Sequence, residues 1–342
     1  MVISTETKKT PKVERGVIEI AGKRRFRKPT ERGALAIGIA VTIGLVVLSL
    51  FVGVYDVWST EDGWWMFFIT RVPRTIALIL AGAAMAISGL VMQLMTQNRF
   101  VEPSTVGTTE WAGLGLLVTM ILFPGASIMV RMIGAIGFAF FGTIVFFMFL
   151  RRVTLKSSLI VPIIGIMLGA VVGSVSTFIA LQTDQLQNVG RWFSGSFTEV
   201  TRGRYEPLWA VLLLLIIVFF IADRFTVAGL GKEVATNVGL NYNAVIFTGV
   251  TIVAAITGVV TVVIGSLPFL GLIVPNMVSL FRGDNLRTNL PWVCIVGISI
   301  VTVCDIIGRT IIMPFEIPVS LILGVLGAIV FVFLLVRQRR YG

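Results

Sequence analysis

Apolar stretches of roughly 20 residues, the length a helix needs to cross a bilayer core, recur from Gly33 to Val336, separated by short clusters of charged and turn-forming residues. Cutting the chain at those clusters predicts ten helical spans, at 33–54, 75–95, 111–130, 132–150, 157–181, 207–222, 243–264, 267–281, 288–304 and 317–336. The uncharged run from Val234 to Phe281 is too long for one helix and divides at Ser266-Leu267-Pro268. This is the pattern of an all-α polytopic membrane protein, with a transmembrane domain at 33–336 between a tail at 1–32 and a short end at 337–342. Trp58, Trp64, Trp65, Phe67 and Phe68 precede the second span, and Trp192, Phe193 and Phe197 precede the sixth. Such rings favour the membrane interface, so short surface helices are expected at both places.

Only 13% of the residues are charged and 56% are hydrophobic, with a mean hydropathy of +0.96. Soluble domains carry about 25% charged residues, so a soluble globular protein is excluded. In a soluble chain the net charge of +11 would point to nucleic acid; here its distribution reports orientation. Alternating the connections between two sides puts 21 of the 28 Lys and Arg on the side of the N-terminus. The positive-inside rule then places both termini in the cytoplasm. Residues 1–32 are polar and basic without a short apolar core, so no cleaved signal peptide is expected and the first span stays as an anchor. The tail reads as a mostly disordered arm attracted to lipid.

The chain has no His, and Cys294 and Cys304 share one apolar stretch, which leaves no His/Cys metal site and no disulfide framework. No span carries Asp, Glu, Lys or Arg near its middle, the nearest being Asp223 and Asp305 at ends. Proton-coupled carriers keep such a group at the midplane, and membrane enzymes need a catalytic set, so neither class is supported. A passive pore or a pump powered elsewhere remains.

Small residues gather in the second span, at 81–89, and in the fifth, where Gly165, Gly169 and Gly173 recur every four residues on one face. Either reading of the fifth span is open: close helix packing, or, with Ser174, Ser176 and Thr177, a neutral passage. Gly229-Leu230-Gly231-Lys232 lacks the spacing and the Ser/Thr of a phosphate loop. Leu230, Val234 and Val238 instead form a stripe at i, i+4 and i+8 in a connection bearing Arg224, Lys232 and Glu233, with Gly239 placed to end a short helix. That apolar face has no partner in its own loop, and would lie on lipid or enter a groove of a soluble partner.

Several motifs, taken in order, resemble the FecCD family, the permease subunits of binding-protein-dependent ABC importers for iron–siderophores, haem and vitamin B12. They are Arg71-Val72-Pro73-Arg74-Thr75 before an Ala/Gly-rich span, Ser88-Gly89 to Gln93, the 98–107 loop with Glu102-Pro103, and Gly231-Lys232-Glu233 to Val238-Gly239. Gly265 to Asn276, Arg282-Gly283-Asp284-Asn285-Leu286-Arg287, Asp305 to Arg309 and Pro314-Phe315-Glu316-Ile317-Pro318 complete the series. Pro275-Asn276 departs from the Pro-His of most members and, with Arg-Gly-Asp-Asn, is similar to the branch handling catecholate-type ferric siderophores.

The resemblance implies a vitamin B12 permease-like (type II importer) fold of about ten spans, in a bacterial plasma membrane. It implies a second permease subunit around a shared pathway, two cytoplasmic ATPase subunits and an extracytoplasmic siderophore-binding protein. The chain itself would bind no cofactor, ATP and Mg residing on the partner subunits. Transport would be by alternating access, and this chain would be no enzyme. Arg71, Arg74 and Arg309 are expected to receive acidic residues of the binding protein, unless they snorkel or pair locally with Asp62, Asp305 or Glu316. Leu230, Gly231, Lys232, Glu233, Val234, Val238 and Gly239, within a cytoplasmic segment 224–242, would couple to the ATPase. The pathway is expected between the fifth and tenth spans, lined by Ser157, Ser158, Gly169, Gly173, Ser174, Thr177 and Ser320. The alternatives are a self-contained secondary transporter or channel, or an importer of haem or cobalamin.

Overall fold

The computed structural model describes residues 31–53, 63–152, 159–282 and 286–341. These form α1 (Glu31–Phe51), α2 (Gly63–Met66) running through a π-helical turn at Phe67–Arg71 into α3 (Val72–Thr96), α4 (Thr108–Leu122), α5 (Ile128–Arg152), α6 (Ile160–Gln182) and α7 (Leu186–Phe193). After a short 3₁₀ turn at Glu206–Leu208 come α8 (Trp209–Gly229), α9 (Lys232–Asn237), α10 (Tyr242–Val263), α11 (Leu270–Arg282), α12 (Leu286–Thr310) and α13 (Val319–Tyr341). Seven of these helical stretches are long and apolar enough to cross a membrane, and α4, α11 and α13 supply three shorter apolar helices. Seven long stretches and three shorter apolar helices fall where the ten spans are expected, and α2 and α7 are short helices beside the aromatic clusters.

One boundary moves. The sequence reading divides the third and fourth spans at Arg131, whereas α4 stops at Leu122 and the turn lies at Phe123-Pro124-Gly125, closed by the Ala126 N–H donating to Phe123 O at 2.9 Å. Pro cannot continue the α4 ladder and Gly opens the turn. Arg131 consequently stands in the first turn of α5. Similarly, α8 runs seven residues beyond its expected end at 222, taking in Asp223 and Arg224.

Helix α3 is the centre of the bundle, in contact with α1, α8, α10, α11 and α12. Its Ala/Gly-rich middle explains this: a Cβ at Gly82 would press on the Gly297 and Ile298 backbone of α12, and one at Gly89 would overlap the Gly271 backbone of α11. Small residues let backbones approach where lipid supplies no hydrophobic drive.

Helices α4 and α11, at 15 and 13 residues, are about 22 and 20 Å long and shorter than the hydrocarbon core. Gly89 lies seven residues before the end of α3, about 10 Å at helical rise, so its neighbour Gly271 in the first turn of α11 starts well inside the bundle. The connections 97–107 and 264–269 therefore reach inward, and their backbone must be satisfied by protein. Glu102, 1% exposed, does so by accepting the N–H of Phe269 at 2.7 Å on Oε1 and of Leu272 at 3.1 Å on Oε2, capping α11 with a carboxylate whose Oε1 also accepts the Ser104 hydroxyl. Pro275 cannot donate to the carbonyl of Gly271, and Gln93 Nε2 of α3 donates there instead, at 3.3 Å. Asn276 donates to Arg99 O at 2.8 Å, fastening α11 to the other connection.

Candidate functional site

At the end of the bundle where α3 begins and α12 ends, two guanidinium groups and two carboxylates form one cluster, and Arg71 is bonded to the nearby end of α1. The first turn of α3 presents Arg74, whose Nη2 is 2.7 Å from Asp305 Oδ1 and 2.9 Å from Glu316 Oε2, while Nη1 donates to Glu316 Oε1 at 3.0 Å. One turn along α12 from Asp305, Arg309 Nη2 lies 2.7 Å from Asp305 Oδ2. Arg309 also donates to Val52 O at 2.6 Å, Ser49 O at 3.1 Å and Ser49 Oγ at 2.6 Å, binding α12 to the end of α1. Arg71 donates to Leu50 O at 3.1 Å.

Asp305 is fully buried and Arg309 is 5% exposed. Their charge is neutralised inside the protein, so of the two sequence readings of these arginines, local pairing describes Arg74 and Arg309. Asp62 lies outside the described residues. Glu316, in the α12–α13 connection, is the accessible rim of the cluster, with its side chain 28% exposed. Burial alone would raise its pKa, but the Arg74 guanidinium, the Thr198 hydroxyl donating at 2.7 Å and Arg309 together hold it below the usual carboxylate value.

At the opposite end, α8 stops at Gly229 and Gly231 turns the chain at φ +108, a conformation open to glycine, to start α9. The Gly239 N–H donates to Thr236 O and the Leu240 N–H to Ala235 O, with Gly239 at φ +82, the paired bonds of a left-handed helix cap. Ala235 is the buried anchor. Leu230, Val234 and Val238 are 64%, 44% and 66% exposed, so the apolar stripe read from the sequence stands free of the rest of the chain. Lys232 and Glu233 occupy the first turn beside it. Residues 224–229 of the expected 224–242 segment belong to α8 instead.

Helix α6 divides the glycines expected to line a passage. Gly165 and Gly169 pack on the 105–107 turn, where a Cβ at Gly165 would overlap Thr105 O, so Gly169 is buried against the neighbouring turn and faces no open passage. Gly173 has open space beside it, and Ser174 and Thr177, one turn farther, are exposed with hydroxyls donating to Ala170 O and Gly173 O. Their side chains are satisfied by their own helix, leaving a weakly polar surface among exposed Val171, Val175 and Phe178. Ser320, in the first turn of α13, donates to Ser194 O at 2.9 Å and its N–H to Gly195 O at 3.1 Å, pinning α13 to the end of α7. Ser157 and Ser158 lie outside the described residues.

The sequence reading named Glu102 only as part of a motif, and not as the cap of α11. Its signal was a Glu-Pro in a short connection leading to an unusually short helix.

The model of the FecCD transport family matches residues 35–337. The petrobactin import system permease protein FatD of Bacillus anthracis is 59% identical over 304 residues, covering 89% of this chain and 91% of that one. The petrobactin import permease YclN of Bacillus subtilis is 42% identical, covering 87% and 96%. A solved structure described as an inward-facing conformation of a metal-chelate type ABC transporter superposes with a TM-score of 0.76 at 22% identity, covering 89% of this chain and 99% of that chain. At that identity the likeness speaks for the fold.

Proposed function

Because the chain belongs to the FecCD transport family, we propose that it is the permease subunit of an ATP-driven importer for a ferric siderophore of the petrobactin kind, and, from the resemblance carried by Pro275-Asn276 and Arg-Gly-Asp-Asn, of the catecholate type. The observation that carries this reading is 59% identity to a petrobactin import permease across nearly the whole of both chains. Two such permease subunits enclose the passage between their α6 and α13 faces, where the exposed Ser174, Thr177 and open Gly173 offer weak, neutral contacts. A bulky anionic complex needs that surface, since a fixed buried cation would hold it too tightly for release.

The positive-inside bias assigns the α9 end to the cytoplasm of a bacterial cell and both termini with it. There the stripe of Leu230, Val234 and Val238 enters a groove of an ATPase subunit, which carries the ATP and Mg. The extracytoplasmic binding protein docks at the other end, over Arg71, Arg74 and Glu316. Nucleotide binding shifts the pair of permeases between inward- and outward-open arrangements, each state favoured by its own contacts.

Reconstitution tests the reading. Vesicles holding the permeases and the ATPase should take up ferric petrobactin only with ATP and the binding protein. Uptake by the permease alone would make it a self-contained channel or carrier, and selective uptake of haem or cobalamin would replace the substrate.

A further inference from the structure

Seven arginines stand at the outer end of the chain in the orientation given above: Arg71, Arg74, Arg131, Arg191, Arg202, Arg204 and Arg309. Cations are depleted on that side of membrane proteins, yet five of these gather in two places. Arg74 and Arg309 are neutralised by Asp305 and Glu316. Arg131, Arg191 and Arg204 line a separate cavity of about 660 Å³ between the outer ends of α4, α5 and α10 and the 194–204 segment. Among the described residues its lining holds a single carboxylate, Glu199, 3.5 Å from Arg204 with both side chains more than 60% exposed. Such an exposed pair is weak. The cavity lining therefore keeps an excess of positive charge that the buried cluster lacks.

The remaining walls are mixed. Trp192 and Asn188 of α7 face in beside Arg191, with Leu116 and Met120 of α4 behind. The Arg131 Nε is buried and has no hydrogen-bond partner among the described residues. A space of this size suits a small molecule rather than a lone phosphate. Guanidinium forks suit paired oxygens, and the Trp ring suits a planar aromatic group.

We propose that this cavity is an outer receiving site for the iron chelate itself, taking the anionic carboxylate or phenolate oxygens of an aromatic ferric chelate before it enters the passage between subunits. The proposal rests on the importer reading above. Its geometry also joins the cavity to the docking end. The Ser196 N–H donates to Ile264 O at 3.0 Å, the Ser266 N–H to Trp192 O at 3.1 Å and the Arg202 N–H to Ile69 O at 2.9 Å, while Thr198 reaches Glu316. A partner pressing on Glu316 thus bears on a cavity wall.

Equilibrium binding of iron-labelled ferric petrobactin to the assembled permease–ATPase complex, without binding protein, tests the site. Saturable binding is expected, weakened at least about tenfold by Arg131→Gln, Arg191→Gln and Arg204→Gln together, and weakened less by the three Arg→Lys changes, which keep the charge but lose the fork. Should the triple variant fail to assemble, Arg191→Gln alone, on an exposed helix face, must still weaken binding. Unchanged chelate binding by the assembled Gln variants overturns the proposal. So does displacement by inorganic phosphate at equal concentration, or a loss confined to binding-protein affinity, which would make an acidic protein segment the occupant. Uptake by the wild-type importer without any such binding defeats this site alone; no ATP-driven uptake of the chelate by the wild type defeats the importer reading.

Discussion

Asp305 holds two guanidinium groups, and its removal is therefore worse than the loss of one pair. Replacing it with Asn leaves Arg74 and Arg309 side by side without the charge that separates them, and breaking a buried pair from one side costs about 3–5 kcal/mol. Asp305→Asn should lower the unfolding temperature of the detergent-solubilised permease, followed by tryptophan fluorescence. Arg71→Gln, which gives up hydrogen bonds to the Leu50 and Phe51 carbonyls, should lower it far less. Gln93 makes a sharper case, because it supplies the donor that Pro275 lacks. Gln93→Leu keeps the bulk but strands the Gly271 carbonyl, a loss of about 1–3 kcal/mol, measurable in the same melt. The motif around Pro275 was legible in the sequence; its partner was not, since Gln93 lies 178 positions before Gly271 and only the approach of Gly89 to Gly271 brings the two together.

The helices themselves were easy to find and their ends were not. Lipid-facing helices are apolar on every side, so no 3.6-residue period marks where one stops, and Arg131 looked like a boundary when it is the opening turn of α5. Pro124-Gly125 was the truer signal. By contrast, α9 was readable because its apolar stripe contrasts with charged neighbours, and that face is free as expected. Val234→Asp should put a charge into an apolar groove and weaken ATPase association by a few kcal/mol, uncoupling hydrolysis from uptake without altering the permease melt. Co-purification of the ATPase at wild-type yield would refute the docking role. On α6, cysteines at Ser174 and Thr177, with Cys294 and Cys304 replaced, should react with water-soluble thiol reagents to an extent that changes with nucleotide. A cysteine at Ser176, which is buried, should stay inert in both states.

Across the whole molecule, charge is sorted more finely than the net value suggests. One end carries an ion-paired cluster and a cavity with surplus positive charge, and the other an uncovered apolar helix, so the two ends offer partners different chemistry. The proposed count of ten crossings has one further consequence: an even number returns the chain to the side where it began. A second copy could therefore follow the first in one reading frame, joined by a soluble linker, without turning its topology over. Joining residue 342 of one copy to the 1–32 tail of the next should give a single polypeptide that sustains siderophore-dependent growth, whereas deleting α1 from the second copy should abolish it. Growth that survives that deletion would show an odd number of crossings and reverse the sidedness assigned to one terminus.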